Sequence, residues 1–182
     1  MANTVSNVTA GKPLIGGAFY IAPVGTTLPT ATTGALNEAF VPLGYVSEDG
    51  LTNANSPETD AIKAWGGDTV LTIQNEKADT FSCTFIEALN INVLKMIYGS
   101  DNVTGSLSAG ITVNANSAEL DEWSIVCDMT LRGGVAKRIV IPQGKVTEIG
   151  EISYTDTDAV GYEATITAMP DAQGNTHYEY IK

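Results

Sequence analysis

Residues 122–134 read EWSIVCDMTLRGG, the cleanest alternation in the chain. Trp123, Ile125, Cys127, Met129 and Leu131 fall on one face, with Glu122, Ser124, Asp128 and Arg132 on the other. Successive side chains of a strand point to opposite faces, so this period of two predicts a half-buried β-strand. Gly133-Gly134 then turns the chain into VAKRIVIPQGKV, and the two runs make a long β-hairpin over residues 122–146.

The same reading extends in both directions. Residues 1–16 are polar and aperiodic, an arm ordered by a neighbour or not at all, and residues 17–182 form a single β domain. AFYIAPV from Ala18 and FVPLGYV from Phe40 are short strands joined by the loop GTTLPTATTGALNE, and the second ends at the turn SEDG. LTNANSPE, from Leu51, is turn-rich, and strand character returns only at TDAIKAW, so a long loop is expected between two strands. DTVLTIQN and KADTFSCTFIE read as two strands joined by NEKAD. In the second, Phe81, Cys83 and Phe85 alternate with Thr80, Ser82 and Thr84, giving one core face and one hydroxyl-lined face. One helix is expected, EALNINVLKMIYG, whose Leu89, Val93, Met96 and Ile97 recur at helical spacing as a packing stripe. Residues 100–121 are weakly patterned with one strand near Ile111, and GYEATITAMPD and THYEYIK close the chain around a turn at residues 171–175.

At 182 residues, with 43% hydrophobic and 16% charged side chains, the chain suits one well-buried domain whose neutral polar surface meets another protein. Nine Lys and Arg against 21 Asp and Glu leave a net charge of −12. That sign argues against binding a phosphate backbone, although it suits a surface that lets a polyanion pass without sticking. The opening residues lack the basic and apolar regions of a signal peptide, and no apolar run approaches a membrane span, so a protein that stays in the cytoplasm where it is made is expected. Cys83 and Cys127 lie inside strand patterns and read as buried thiols.

Chemistry has few carriers. The one histidine, His177, cannot supply the three or four ligands of a zinc-type site, and it reads as a surface residue of a terminal strand. Glu148 with Glu151, and Asp156 with Asp158, are carboxylate pairs without surrounding aromatics to grip a sugar, so they read as a solvated face. No glycine-rich phosphate loop is followed by a helix. Neither an enzymatic activity nor a cofactor is expected.

Five segments in order carry a resemblance: GAFYIAPVGTTLP, VPLGYVSEDGL, AIKAWGGDTV, FIEALNINVLKMIYG and EISYTDTDAVGYEATITAMPDAQG. Together they resemble the major tail protein of long-tailed bacteriophages, the subunit of the tail tube. The resemblance implies a mainly β fold: a tail-tube-type β-sandwich or barrel with one flanking α-helix, a long loop and an N-terminal arm. It implies hexameric rings that stack into a hollow tube through which double-stranded DNA passes without specific binding, in a virion tail assembled in the host bacterial cytoplasm. The implied partners are further copies of the chain, the tape-measure protein, the tail terminator and the distal tail protein, with no membrane.

In related tubes long hairpins pair between subunits into an inner barrel. That implies a bore lined by residues 122–146, with Glu122 and Asp128 facing the channel and Trp123, Ile125 and Met129 facing the core. Lys137 and Arg138 depart from an acidic lumen and could pair with acids across an interface. The long early connection in this family reaches toward the next ring, which makes Ser47, Glu48, Asp49, Trp65, Gly66 and Gly67 candidates for a ring or subunit contact. Trp65 then has two readings, an anchor in that contact or an ordinary core residue beside a bulge. Two other function classes stay open: a carbohydrate-binding or adhesive β-sandwich, and the tube of a contractile tail or tailocin.

Overall fold

The computed structural model describes residues 3–15 and 17–182; Met1, Ala2 and Gly16 lie outside the described residues. In chain order the strands are β1 (Lys12–Pro13), β2 (Phe19–Pro23), β3 (Val41–Gly44), β4 (Thr52–Lys63), β5 (Thr69–Phe85), β6 (Val103–Ser106), β7 (Gly110–Val113), β8 (Glu122–Thr130), β9 (Ala136–Ile149), β10 (Tyr162–Met169) and β11 (Tyr178–Ile181). One α-helix, α1 (Ile91–Tyr98), lies between β5 and β6. The fold is mainly β with one helix, as the alternation predicts.

The hairpin β8–β9 organises the main sheet, whose order is β3-β2-β8-β9-β10-β5-β4, with β1 added beside β8 and β11 beside β9. β9 is long enough to pair with β8 along one side and with two partners along the other. Its first half faces β11, from Lys137↔Ile181 to Val140↔Tyr178, and its second half faces β10, from Gln143↔Met169 to Ile149↔Ala164. β6 and β7 form a separate two-stranded ladder.

Two apolar clusters sit on opposite faces of this sheet. The larger collects Ile125, Cys127, Ile139 and Ile141 from the hairpin, Phe81, Cys83 and Phe85 from β5, and Val93, Leu94, Met96 and Ile97 from α1. Phe19 and Phe85 meet edge to face within it, with ring centroids 5.8 Å apart. The smaller cluster holds Ala22, Phe40, Val126 and Val140 under Leu28, Leu36, Tyr178 and Tyr180. Residues 24–40, a loop in local pattern, therefore close the second face of β2, β8 and β9.

That second cluster corrects the expectation for Asp128. The residue is 7% exposed, and its carboxylate accepts two hydrogen bonds from Arg138, from Nε at 2.6 Å and from Nη2 at 2.8 Å. Arg138 Nη1 donates to the Ala31 carbonyl at 3.0 Å, so the covering loop is pinned to the same pair. Asp128 does not face open space, because residues 24–40 lie over it. Arg138 and Lys137 are engaged within the chain, Lys137 with Glu179 at 2.8 Å. The cross-interface pairing considered for these two cations is accordingly replaced by partners inside the fold.

The long early connection is also strand. β4 and β5 form one antiparallel ribbon from Thr52↔Ser82 to Lys63↔Thr69, so LTNANSPE and NEKAD, read as loops, are both paired backbone. β4 pairs with β5 alone and is a sheet edge, where Pro57 breaks no obligatory ladder bond. Leu89 is a second correction: it precedes α1 and is 67% exposed, because Asn90 caps the helix by accepting from the Asn92 amide at 3.0 Å. Val93, Met96 and Ile97 are buried in the core, together with Leu94.

Cutting either side of the Asp128–Arg138 pair leaves an uncompensated buried charge. Arg138→Ala should cost about 3–5 kcal/mol in chemical denaturation, whereas the double replacement Asp128→Leu with Arg138→Met should recover most of that loss. Equal destabilisation by single and double variants would show that the pair is not the source.

Candidate assembly surface

The ribbon β4–β5 has two unlike halves. From Thr80 to Phe85, β5 pairs with β10 on one side and, as far as Ser82, with β4 on the other, and its alternate residues Phe81, Cys83 and Phe85 enter the core. From Thr69 to Ala78 every residue is exposed and the only partner is β4. This half projects from the body.

Its tip is a tight turn in which the Gly67 amide donates to the Ala64 carbonyl at 3.0 Å and the Ala64 amide to the Asp68 carbonyl at 2.7 Å. Gly66 and Gly67 hold φ of 108° and 99°, backbone that a side chain resists, so the two glycines are what lets the turn close. Trp65 stands at this tip fully exposed. Of its two sequence readings, the core residue is excluded. Along the ribbon Ile62 lies opposite Leu71 and Asp60 opposite Ile73, which sets Ile62, Leu71 and Ile73 on one face, all exposed. Burying such side chains gains about 1.5–3 kcal/mol each, and within the chain that gain is forgone.

The projecting half is clamped where it leaves the body. Asp79 is 2% exposed and receives Asn53 Nδ2 at 2.8 Å and Thr176 Oγ1 at 2.5 Å, with His177 Nδ1 2.5 Å away. The His177 ring also meets Phe81 edge to face at 5.2 Å. Strands β4 and β5 and the turn before β11 thus converge on one carboxylate. Burial alone would push the Asp79 carboxyl up, but the hydrogen bonds from Thr176, Asn53 and His177 outweigh it and hold the group below its ordinary value. His177 is in this way a structural partner and not the surface residue expected.

The remaining candidates lie elsewhere. Ser47, Glu48 and Asp49 form a turn at the base of the ribbon, closed by the Gly50 amide on the Ser47 carbonyl at 3.0 Å and tied to β5 by the Ser47 amide on the Thr84 carbonyl at 2.9 Å. They are separated from Trp65 by the length of β4, whose 12 residues span roughly 40 Å. The residues considered as one contact loop therefore occupy opposite ends of a ribbon. Glu122 is exposed and accepts from Gln143 Nε2 at 2.7 Å.

By register Glu122 continues a row across the sheet through Lys145, Thr167 and Thr80, parallel to a row of Glu148, Thr165 and Ser82. Ser82 and Thr165 hydroxyls lie 3.1 Å apart and those of Thr147 and Thr167 2.9 Å apart. This is the hydroxyl-lined face anticipated for β5, extended over three more strands. Lys145, its cation, is bound to Glu119.

The groups with reactive potential are inert. Cys83 and Cys127 are buried and unpaired with each other, and burial pushes the Cys83 thiol up to about 12 and the Cys127 thiol up as well. Three residues were missed from sequence: Asp79, Asn53 and Thr176. The signal was present for Asp79, which falls two positions before Phe81 on the core face of β5, a place where a carboxylate needs partners.

The family described as phage tail tube protein matches residues 1–182. No curated relative matches. Among solved structures, the cryo-EM structure of the anti-feeding prophage cap, the AFP tube terminating cap, aligns over 100% of both chains at 13% identity with a TM-score of 0.42. That likeness is too distant to carry an argument.

The depressed Asp79 group gives a signed prediction. Its stabilisation is present above the unfolded carboxyl value, near pH 4, and is lost as pH falls through the lower folded value. The melting temperature should drop more steeply below pH 4 in the unmodified chain than in Asp79→Asn, which should already be less stable at pH 7. Parallel pH profiles would refute the clamp.

Proposed function

Since the chain belongs to the phage tail tube protein family, we propose that it forms hexameric rings that stack into the hollow tube of a phage tail, with the exposed half of β4–β5 as the arm joining one ring to the next. The observation that carries the arm is the projecting ribbon itself: Trp65 and the stripe Ile62, Leu71 and Ile73 are exposed on a well-formed hairpin whose outer half, among the described residues, has no strand partner but itself. Exposed apolar surface of this kind, bordered by polar residues, marks an interface between proteins.

The sheet ends on β3 and β4, and of the two β4 is the open edge: Asn92 Nδ2 donates to the Pro42 carbonyl of β3 at 3.2 Å, and just beyond β3 Val46 bridges to Phe85 of β5. Open edges are an aggregation hazard in a monomer, and a heterologous contact whose rotation closes uses them in a ring. The bore is assigned to the hydroxyl-lined face of β5, β10, the second half of β9 and the start of β8, with Glu122, Glu148 and Glu163, which lies exposed opposite Thr84, as its carboxylates. Its cation, Lys145, is engaged by Glu119, so a passing polyanion meets mainly hydroxyls and acids, and the net charge of −12 acts in the same sense. Asp128 has no part in this lining.

The role is structural. The tube proceeds without catalysis or cofactor, lies in the virion tail after assembly in the host cytoplasm, and meets the tape-measure protein within and the terminator and distal tail protein at its ends. A tube of a contractile tail or tailocin would be built from the same subunit geometry inside a sheath.

Sedimentation tests the arm. The unmodified chain should form particles far larger than a hexamer as concentration rises. Trp65→Ala, and separately a chain in which residues 59–75 are replaced by Asn-Gly, should remain folded with melting temperatures within about 4 °C of the original and fail to exceed ring size. Large particles from both variants would contradict the assignment.

A further inference from the structure

A groove of about 940 Å³ opens between the N-terminal arm and the chain just after β3, at the end of the molecule away from the Trp65 tip. Its walls include Leu14 and Ile15 from the arm, Tyr45 and Val46 from the opposite side, and Met129 from β8, with Phe19 at the floor. Leu14, Ile15 and Tyr45 are exposed, so apolar side chains line an open cleft. We propose that this groove receives the Trp65 tip of a second copy of the chain. The proposal deepens the tube assignment and rests on it, because it names the acceptor for the arm.

Four observations select that occupant. The tip and the groove lie roughly 40 Å apart along one ribbon, so a chain cannot fill its own groove. A contact between unlike surfaces of identical chains repeats indefinitely, as stacking requires. The tip offers an indole flanked by Ile62, and the groove offers apolar and aromatic walls.

The charges also match. The turn at the tip is bracketed by Lys63 on β4 and Asp68 before β5. The groove has Glu48 and Asp49 on one rim and Lys12 on the arm. Lys63, Asp68, Lys12 and Glu48 take part in none of the ion pairs among the described residues. A docked tip can therefore set Lys63 against Glu48 and Asp49 while Asp68 meets Lys12.

A second cavity, of about 350 Å³, is lined by Asn55, Lys77, Asp79, Asn175, Thr176 and His177. Burying an indole there would strip water from polar groups without replacing their hydrogen bonds. Of the two, only the groove suits the tip.

Fluorescence and charge reversal test the docking in the full chain. Trp123→Phe, or Trp123→Tyr where the first fails to fold, leaves Trp65 as the single indole. Its acrylamide quenching should fall several-fold when the protein assembles. Lys63→Glu should raise the concentration needed for assembly by about fivefold or more, and adding Glu48→Lys with Asp49→Lys should bring it back to within about twofold. If unmodified protein forms tubes but Trp65 stays as accessible as in the monomer, or the reversal fails to restore assembly, the groove is the wrong acceptor and the tube assignment survives. If unmodified protein forms no tubes with or without a tail-tip initiator, the tube assignment falls and the docking falls with it.

Discussion

The register of β8 against β9 is the constraint on which the rest of the structure depends. Cys127 lies opposite Ile139 and Asp128 opposite Arg138, so one rung enters the main core and the next carries a buried ion pair on the other face. A slip of one residue would drive either the Asp128 carboxylate or the Arg138 guanidinium, depending on which strand moved, into the cluster around Phe81 and α1 without its partner, at a cost no hydrogen bond there could offset. The pair thus specifies alignment more than it adds stability. Three other elements depend on that alignment: β10 and β11 pair along β9, and residues 24–40 are pinned over the second face through the Ala31 carbonyl.

A body fixed in this way can carry a ribbon that is not itself buried. Asp79 marks the division between the two halves, since on its core side β5 sits within the sheet and on its outer side it has β4 alone. A projecting two-stranded ribbon is marginal in water, and its stability is borrowed from the anchored half and from later contacts. It is also an aggregation risk, which Pro57, Glu58, Asp60 and Lys63 along the edge strand reduce. The molecule therefore keeps an apolar arm exposed while discouraging unspecific pairing along the arm's edge. That combination suits a subunit that stores its assembly surface until a partner is present.

Much of the body was legible because its information is local. Alternation in residues 122–130 and 80–85 predicts the strands and the face of each that enters the main core, though not the burial of Ser124, Val126 and Asp128 on the second face of β8, and Gly133-Gly134 marks the turn. Where reading failed, the deciding contact was distant. LTNANSPE has the composition of a loop, but the neighbouring β5 supplies the backbone partners that make it a strand. Leu89 fits the helical spacing, yet Asn90 is a better cap than an interior residue, so the helix begins after it. Asp128 looks like a surface residue because its polar face is visible in the pattern, whereas the loop that covers that face is not. The assembly surface was half legible: Trp65 with two glycines signals a tip, but the roughly 40 Å between it and residues 47–49 follows only from the unbroken ribbon.

The central claim is that identical chains build a hollow, repeating tube. Electron microscopy of the purified, concentrated protein tests it most directly, with a tail-tip initiator added where spontaneous growth is slow. The account predicts stacked six-fold rings with an open central channel and a ribbon crossing from each ring to the next. A field of dispersed particles that persists with initiator present, or filaments without a channel, would contradict it.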